Sequence, residues 1–110
     1  MVRTHQSRGE TGAEYTVRRY ESGDEEGFLA LFNEVWTAEK TMAWFDWRYR
    51  DNPYAEEVTM FVAEYGGRVV ATRPFVPVRV AAGDETRLAF LCTDVMTDAA
   101  HRRRGLFEAL

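Results

Sequence analysis

An α+β fold is what this chain predicts, on three observations: an apolar stripe of helical period near its start, a change to period two from Glu57, and glycine turns between the alternating runs. The expected order is strand, helix, helix, three antiparallel strands, then the start of a further helix. At 110 residues there is room for one domain with a modest core. Apolar residues make up 45% and aromatics 14%, a composition that folds rather than stays disordered.

Residues 1–13, MVRTHQSRGETGA, are polar and show no apolar period, so a flexible N-terminal segment is expected there and the domain is assigned to 14–110. The first strand is expected in YTVRRY from Tyr15, where most residues favour or tolerate extended backbone. Ser22 stands three residues before Glu25, as in a capping box, and Asp24 and Glu26 add negative charge to a first helical turn. Phe28, Leu29, Phe32, Val35 and Trp36 then line one helical face. In TMAWFDWRYRDNP a second, short helix is capped by Thr41, shows Trp44, Phe45 and Tyr49 on one face, and ends at Asn52-Pro53. That aromatic cluster reads as core and lid packing, with a substrate-facing aromatic wall as the alternative.

VTMFVAEY and RVVATRPFVPV flank Gly66-Gly67, a pair suited to a tight hairpin turn with positive φ. Pro74 and Pro77 donate nothing to a ladder, so the second of these strands must bend, bulge or leave those positions unpaired. A turn around Gly83-Asp84 leads into TRLAFLCTDVMT, whose length and apolar content predict a central strand covered on both faces. Cys92 lies inside that run and is expected to be a small buried hydrophobe rather than a nucleophile.

The totals exclude several classes. With 14 basic and 18 acidic residues the net charge is −4, which gives no argument for a nucleic-acid or anionic-membrane partner. A single cysteine rules out a disulfide framework and a cysteine-rich metal site, and it points to a reducing, cytoplasmic setting. No apolar run approaches the about 20 residues that span a bilayer.

The chemistry concentrates in TDVMTDAAHRRRGLFEAL. A strand ending near Thr97 passes through a polar loop into a helix opening around Gly105, and first-turn N–H groups carry partial positive charge. Arg102, Arg103 and Arg104 add cations and forked donors, while Gly105 lets the backbone approach a bulky group. A solvated arginine cluster is the plain alternative, yet a strand-to-helix crossover is where open sheets bind phosphates, so a phosphate or pyrophosphate is the expected guest. Neither the three-glycine dinucleotide fingerprint nor the Gly-Lys pair of a Walker loop is present.

The stretch Arg102-Arg103-Arg104-Gly105-Leu106-Phe107 resembles the R-x-x-G-x-G/A signature of the GNAT superfamily of N-acetyltransferases, and Val95-Met96-Thr97 resembles the strand end before it. Phe107 departs from the pattern by replacing the final small residue. The segment Trp47 to Pro53 is similar to a tryptophan-to-Asn-Pro stretch of some members, and the element order over about residues 15–110 agrees. The resemblance implies a GNAT-like acyl-CoA N-acyltransferase fold, incomplete because the chain ends inside the helix after the signature. It also implies acetyl-CoA as co-substrate, with Val95, Met96 and Thr97 along the pantetheine arm and Arg102 through Phe107, including Leu106, cradling the pyrophosphate. The acceptor would be a small-molecule or protein amine.

For the proton of that amine Asp94 is the nearest acid, either a base or a strand-end carboxylate paired with an arginine or solvent; Glu64 is a further candidate. His5 falls in the expected flexible segment, and His101 is expected to shape the loop. The acetyltransferase would be weakly active alone or completed by a partner chain. Two other classes stand beside it. One is a non-catalytic remnant acting as an interaction or dimerisation module, such as a homodimer. The other is a nucleic-acid binder using the arginines, which the net charge opposes.

Overall fold

A computed structural model describes residues 2–6, 14–54 and 57–110, and of residues 2–6, 14, 107 and 108 the backbone alone. The elements are β1 (Val2–Gln6), β2 (Glu14–Arg19), α1 (Asp24–Val35), α2 (Met42–Phe45) continued by a π-helical turn (Asp46–Arg50), β3 (Thr59–Tyr65), β4 (Arg68–Ala82), β5 (Glu85–Cys92), β6 (Met96–Thr97), a 3-10 turn (Ala99–His101) and α3 (Leu106–Ala109). Among the described residues the strands form one sheet in the order β1-β2-β3-β4-β5, with β6 also on β4, and every pairing is antiparallel.

Neighbouring residues of a strand point to opposite faces, and this separates two cores. Met60 and Val62 join Phe28, Leu31, Phe32 and Phe45 of the helices in one cluster. Ala63, next along β3, joins Tyr15, Val17, Val70 and Leu106 in the other. So α1 and α2 cover one face and α3 begins to cover the opposite one. Gly27 permits the closest approach of α1, since a Cβ there would meet Val69 Cγ2 at 3.1 Å. Arg18 ties the helix to the sheet, with its guanidinium on Asp24 at 2.7 and 2.8 Å and on Glu64 at 3.0 Å.

Thr41 caps α2 as expected, its hydroxyl accepting from the Trp44 N–H. Gly66 and Gly67 both take positive φ, 58° and 78°, as a type I′ hairpin requires. Trp44, Phe45 and Tyr49 pack around Phe28, which supports core packing for the aromatic cluster.

Three expectations are corrected. Val2–Gln6 is a strand, paired from Val2↔Arg18 to Gln6↔Glu14, because backbone pairing to β2 needs no apolar period of its own; residues 1 and 7–13 of the expected flexible segment lie outside the described residues. The α1 cap is Gly23 rather than Ser22, since Asp24 is drawn to Arg18 and Gly23 accepts a φ of 108°; the Glu25 carboxylate reaches back to the Gly23 N–H instead. The run TRLAFLCTDVMT is not one covered strand. It divides into β5 and β6, and β5 is exposed along its length, with Leu88 at 53%, Phe90 at 53% and Leu91 at 56%, and with Cys92 exposed too. The cause is reach: β3 accompanies β4 only as far as Phe75, and beyond it β4 pairs with β5 alone.

Candidate functional site

Pro74 accounts for the break between β5 and β6. In an antiparallel strand a residue's N–H and C=O face the same neighbour. The Pro74 carbonyl accepts from Thr93 N–H at 3.3 Å, so the donor that proline lacks would have faced that same side. The ladder is interrupted there. Registers Phe75↔Cys92 and Thr72↔Met96 set two residues of β4, Arg73 and Pro74, against three, Thr93, Asp94 and Val95, which is a β-bulge. Pro77 faces the other way, past the end of β3, and its carbonyl accepts from the Asn52 side chain at 3.2 Å. Pro77 thus sits where no ladder bond is missed, and Pro74 where the bulge accommodates the missing one.

Asp94 occupies the bulge with φ +53°. Its Oδ2 accepts from Arg48 Nε at 2.7 Å and from the Tyr49 hydroxyl, while Thr72 Oγ1 donates to its carbonyl at 3.2 Å. The pairing with an arginine is therefore present. Burial and, after it, the Asp94 carboxylate push the Tyr49 phenol far above its usual range, so Tyr49 stays protonated and keeps donating. The second base candidate, Glu64, lies on Arg18.

Beyond the bulge, β6 pairs with β4 through Ala71↔Thr97 and Thr72↔Met96, and among the described residues its other edge carries no strand. Met96 turns its side chain into the core beneath α1, whereas Val95 and Thr97 stay half-buried. The chain then turns at Asp98, whose N–H reaches Val70 O at 2.7 Å and whose buried carboxylate accepts from Ala100 N–H at 2.8 Å and from Arg68 at 3.2 Å. His101 is held on the opposite side: Tyr15 OH and His101 Nδ1 are 2.9 Å apart, and the Tyr65 ring lies 4.8 Å from the imidazole. His101 shapes the loop, as expected.

Arg102 and Arg103 are exposed and Arg104 half-buried, so the cations surround the loop rather than the core. Arg102 Nε donates to Thr97 O at 3.2 Å, folding the loop back onto the strand end. Arg103 at φ 63° and Gly105 at φ 75° put left-handed turns into the approach to α3, and Leu106 anchors the helix start in the core. Left-handed turns before a helix start aim backbone N–H groups into a common space, and first-turn N–H groups have no intrahelical acceptor. The arrangement can receive an anion, with an unpaired strand edge leading up to it for an extended, amide-bearing arm. A phosphate-bearing acyl carrier has those two chemical parts, and the residues present fit it.

A small α+β domain with a bulged strand, an open strand edge and a basic crossover into a helix is the class of protein that this fold and site define. The family model described as Acetyltransferase (GNAT) domain matches residues 16–110, and the chain belongs to that family. No curated protein and no solved structure matches it. Activity at the level of the family is acetyl-CoA-dependent transfer to amine acceptors. Among the described residues no helix is long and apolar enough to cross a membrane, and no cluster of His, Cys, Asp or Glu could hold a metal ion.

The sequence missed Arg48, Tyr49, Arg68 and Tyr15 as parts of this region. Each acts on a partner between 30 and 86 positions away, and no local spacing announces such a pair.

Proposed function

We propose that this chain binds acetyl-CoA along β6 and the Arg102–Phe107 loop and presents the thioester to an amine at the bulge. The observation that carries this reading is the continuity of an unpaired strand edge with a basic, left-handed turn at a helix start. The backbone of Val95, Met96 and Thr97 supplies donors and acceptors to the amide-bearing arm. Arg102, Arg103 and Arg104, with the N–H groups from Gly105 to Phe107, hold the phosphates.

Attack by an amine puts negative charge on the thioester carbonyl oxygen, and a bulge leaves ladder donors unpaired, so a backbone N–H between Thr93 and Met96 faces that charge in this reading. Asp94 takes the amine proton directly or through a water. The C–S bond breaks as the carbonyl re-forms, and CoA leaves as the thiol, carrying a proton equivalent to the one the amine lost. Arg48 and Tyr49 both bond its Oδ2, and among the described residues nothing donates to Oδ1. The acetyl-carrying co-substrate, an amine acceptor and a cytoplasmic setting are parts of the same proposal.

Calorimetric titration with acetyl-CoA tests it. Saturable binding is expected, weakened about 10-fold for each arginine lost in an Arg102→Ala/Arg103→Ala variant, on the order of one charge-assisted hydrogen bond apiece. A folded chain that takes up no acetyl-CoA, or a double variant that binds as well as the parent, refutes it.

One observation favours a second use of the surface. The exposed Leu88, Phe90 and Leu91 lie on a strand with an open edge, an arrangement that invites pairing with a second copy of the chain.

A further inference from the structure

Asp94 holds a left-handed conformation that an L residue keeps only where its surroundings over-determine it. Four hydrogen bonds do so. Arg48 Nε and the Tyr49 hydroxyl donate to its carboxylate, Arg48 also reaches Thr93 Oγ1 at 3.0 Å, and Thr72 Oγ1 holds the Asp94 carbonyl at 3.2 Å. Three of the four come from consecutive residues of one π-helical turn, closed by Asp51 N–H on Asp46 O at 2.7 Å. A π turn winds with more residues per turn than an α-helix, which brings neighbouring side chains closer in direction and lets Arg48 and Tyr49 meet at one oxygen. Arg48 and Asp94 are both largely shielded, with side chains 27% and 14% exposed, so the pair is a defined contact rather than a solvated one.

We propose that Arg48 and Tyr49 are positioning residues for the bulge: by clamping Asp94 they fix the direction in which the bulge's backbone N–H groups point, and so set the chain's preference for an acylated over a free thiol carrier. This rests on the acetyl-CoA reading of β6 and assigns these two side chains a task within it. The clamp acts on the acetyl end alone. The loop that would hold the phosphates has separate anchors, Arg68 on Asp98 and Tyr15 on His101. Losing the clamp therefore disturbs the group that sits at the bulge and leaves the phosphate grip in place.

The test compares dissociation constants for acetyl-CoA and for CoA, which has a free thiol in place of the thioester and so lacks the acetyl carbonyl. The full chain is measured beside Tyr49→Phe, Asp94→Ala and Asp94→Gly, each checked for folding by thermal melting. The parent is expected to prefer acetyl-CoA. Tyr49→Phe and Asp94→Ala are expected to lose about 10-fold in that preference, on the order of one hydrogen bond, with CoA affinity unchanged within about twofold. Asp94→Gly, which takes positive φ without strain, is expected to retain more of the preference than Asp94→Ala. Variants that lose both ligands equally, or that keep the preference intact, overturn the positioning role while leaving the acetyl-CoA reading standing. A parent that binds neither ligand overturns the reading itself, and this role with it. Should Asp94→Ala fail to fold, the milder Tyr49→Phe, which removes one hydroxyl, decides alone.

Discussion

Replacing Arg18 with methionine removes the cation that joins β2, α1 and β3. Arg18 is 9% exposed, and its side chain donates to Asp24 twice, to Glu64 and to the Arg19 carbonyl. Methionine keeps much of the volume and none of the charge, leaving the Asp24 carboxylate, 12% exposed, without its cation beside a second carboxylate, Glu64, 33% exposed. Breaking a buried ion pair from one side costs about 3–5 kcal/mol. Water can take over part of the contact to Glu64, so the lower end applies, about 3 kcal/mol. Against a total of roughly 5–15 kcal/mol for a domain of this size, that is a fifth or more of the stability. It corresponds to roughly 12–24 °C in melting temperature.

The pH dependence has opposite sign in the two proteins. In the parent, burial works against the Asp24 charge, but the Arg18 hydrogen bonds and the Glu21 N–H outweigh it and hold the carboxyl below its usual 3.8. Its stabilisation is therefore present above that usual value and lost as pH falls through the lowered folded-state value. In Arg18→Met burial has only the Glu21 N–H to oppose it, so the carboxyl moves the other way and its penalty, full at neutral pH, fades on acidification. Urea denaturation of both proteins should show the gap widest near pH 7 and narrowing toward about pH 3.5. A gap under about 1 kcal/mol at pH 7, or one that stays constant across that range, refutes the reasoning.

Phe28→Ala removes a ring with no exposed surface that contacts Phe45 at 5.2 Å and Tyr49 at 5.4 Å edge-on, and it should cost about 3–5 kcal/mol in urea denaturation, toward the upper end because specific ring pairs are lost; under about 2 kcal/mol would contradict the packing described. Leu88→Lys/Phe90→Lys places two charges on one face of β5, and in sedimentation velocity the parent should self-associate with rising concentration while the variant stays monomeric. A parent that remains monomeric removes the case for a second copy on that edge.

What the sequence disclosed and what it withheld divide along the range of the interactions. Thr41, Gly66-Gly67 and the α1 stripe were legible because a cap, a turn and a helical face are each decided within a few residues. The crossover from β6 into α3 was legible because the arginines and Gly105 stand together in the chain. The covering of β5 was not. An apolar run states what would gain from burial, and only the whole sheet determines whether anything lies over it, which here leaves Leu88, Phe90 and Leu91 in solvent. The α1 start was misplaced by one residue because Arg18, six positions before Asp24, competes for the side chain that would otherwise mark the first turn. That the two prolines force a bulge or lie on an unpaired side was legible, but which of these each does needed the register.

The register shows why the two ends of the site are supported from opposite faces of the sheet. Pro74 removes a donor on the side of β6, the chain absorbs the interruption with an extra residue, and Asp94 takes up a conformation that must be held from outside the sheet. Three of the four holding bonds come from the π turn, which stays in place because Tyr49 and Phe45 pack on Phe28. The bulge therefore depends on the core beneath α1 and α2. The basic loop depends on the other core, where Tyr15 meets His101 and Leu106 fixes the helix start. Two sets of contacts that share no side chain should couple weakly, since energetic coupling needs shared partners or close approach. Damage to the aromatic core should then reach the bulge before it reaches the arginines, and damage at Tyr15 the reverse. Under the proposed acetyl-CoA reading, a site assembled in this way could vary what it accepts at the bulge without altering the loop that would hold the phosphates, because each property answers to a different face of the sheet.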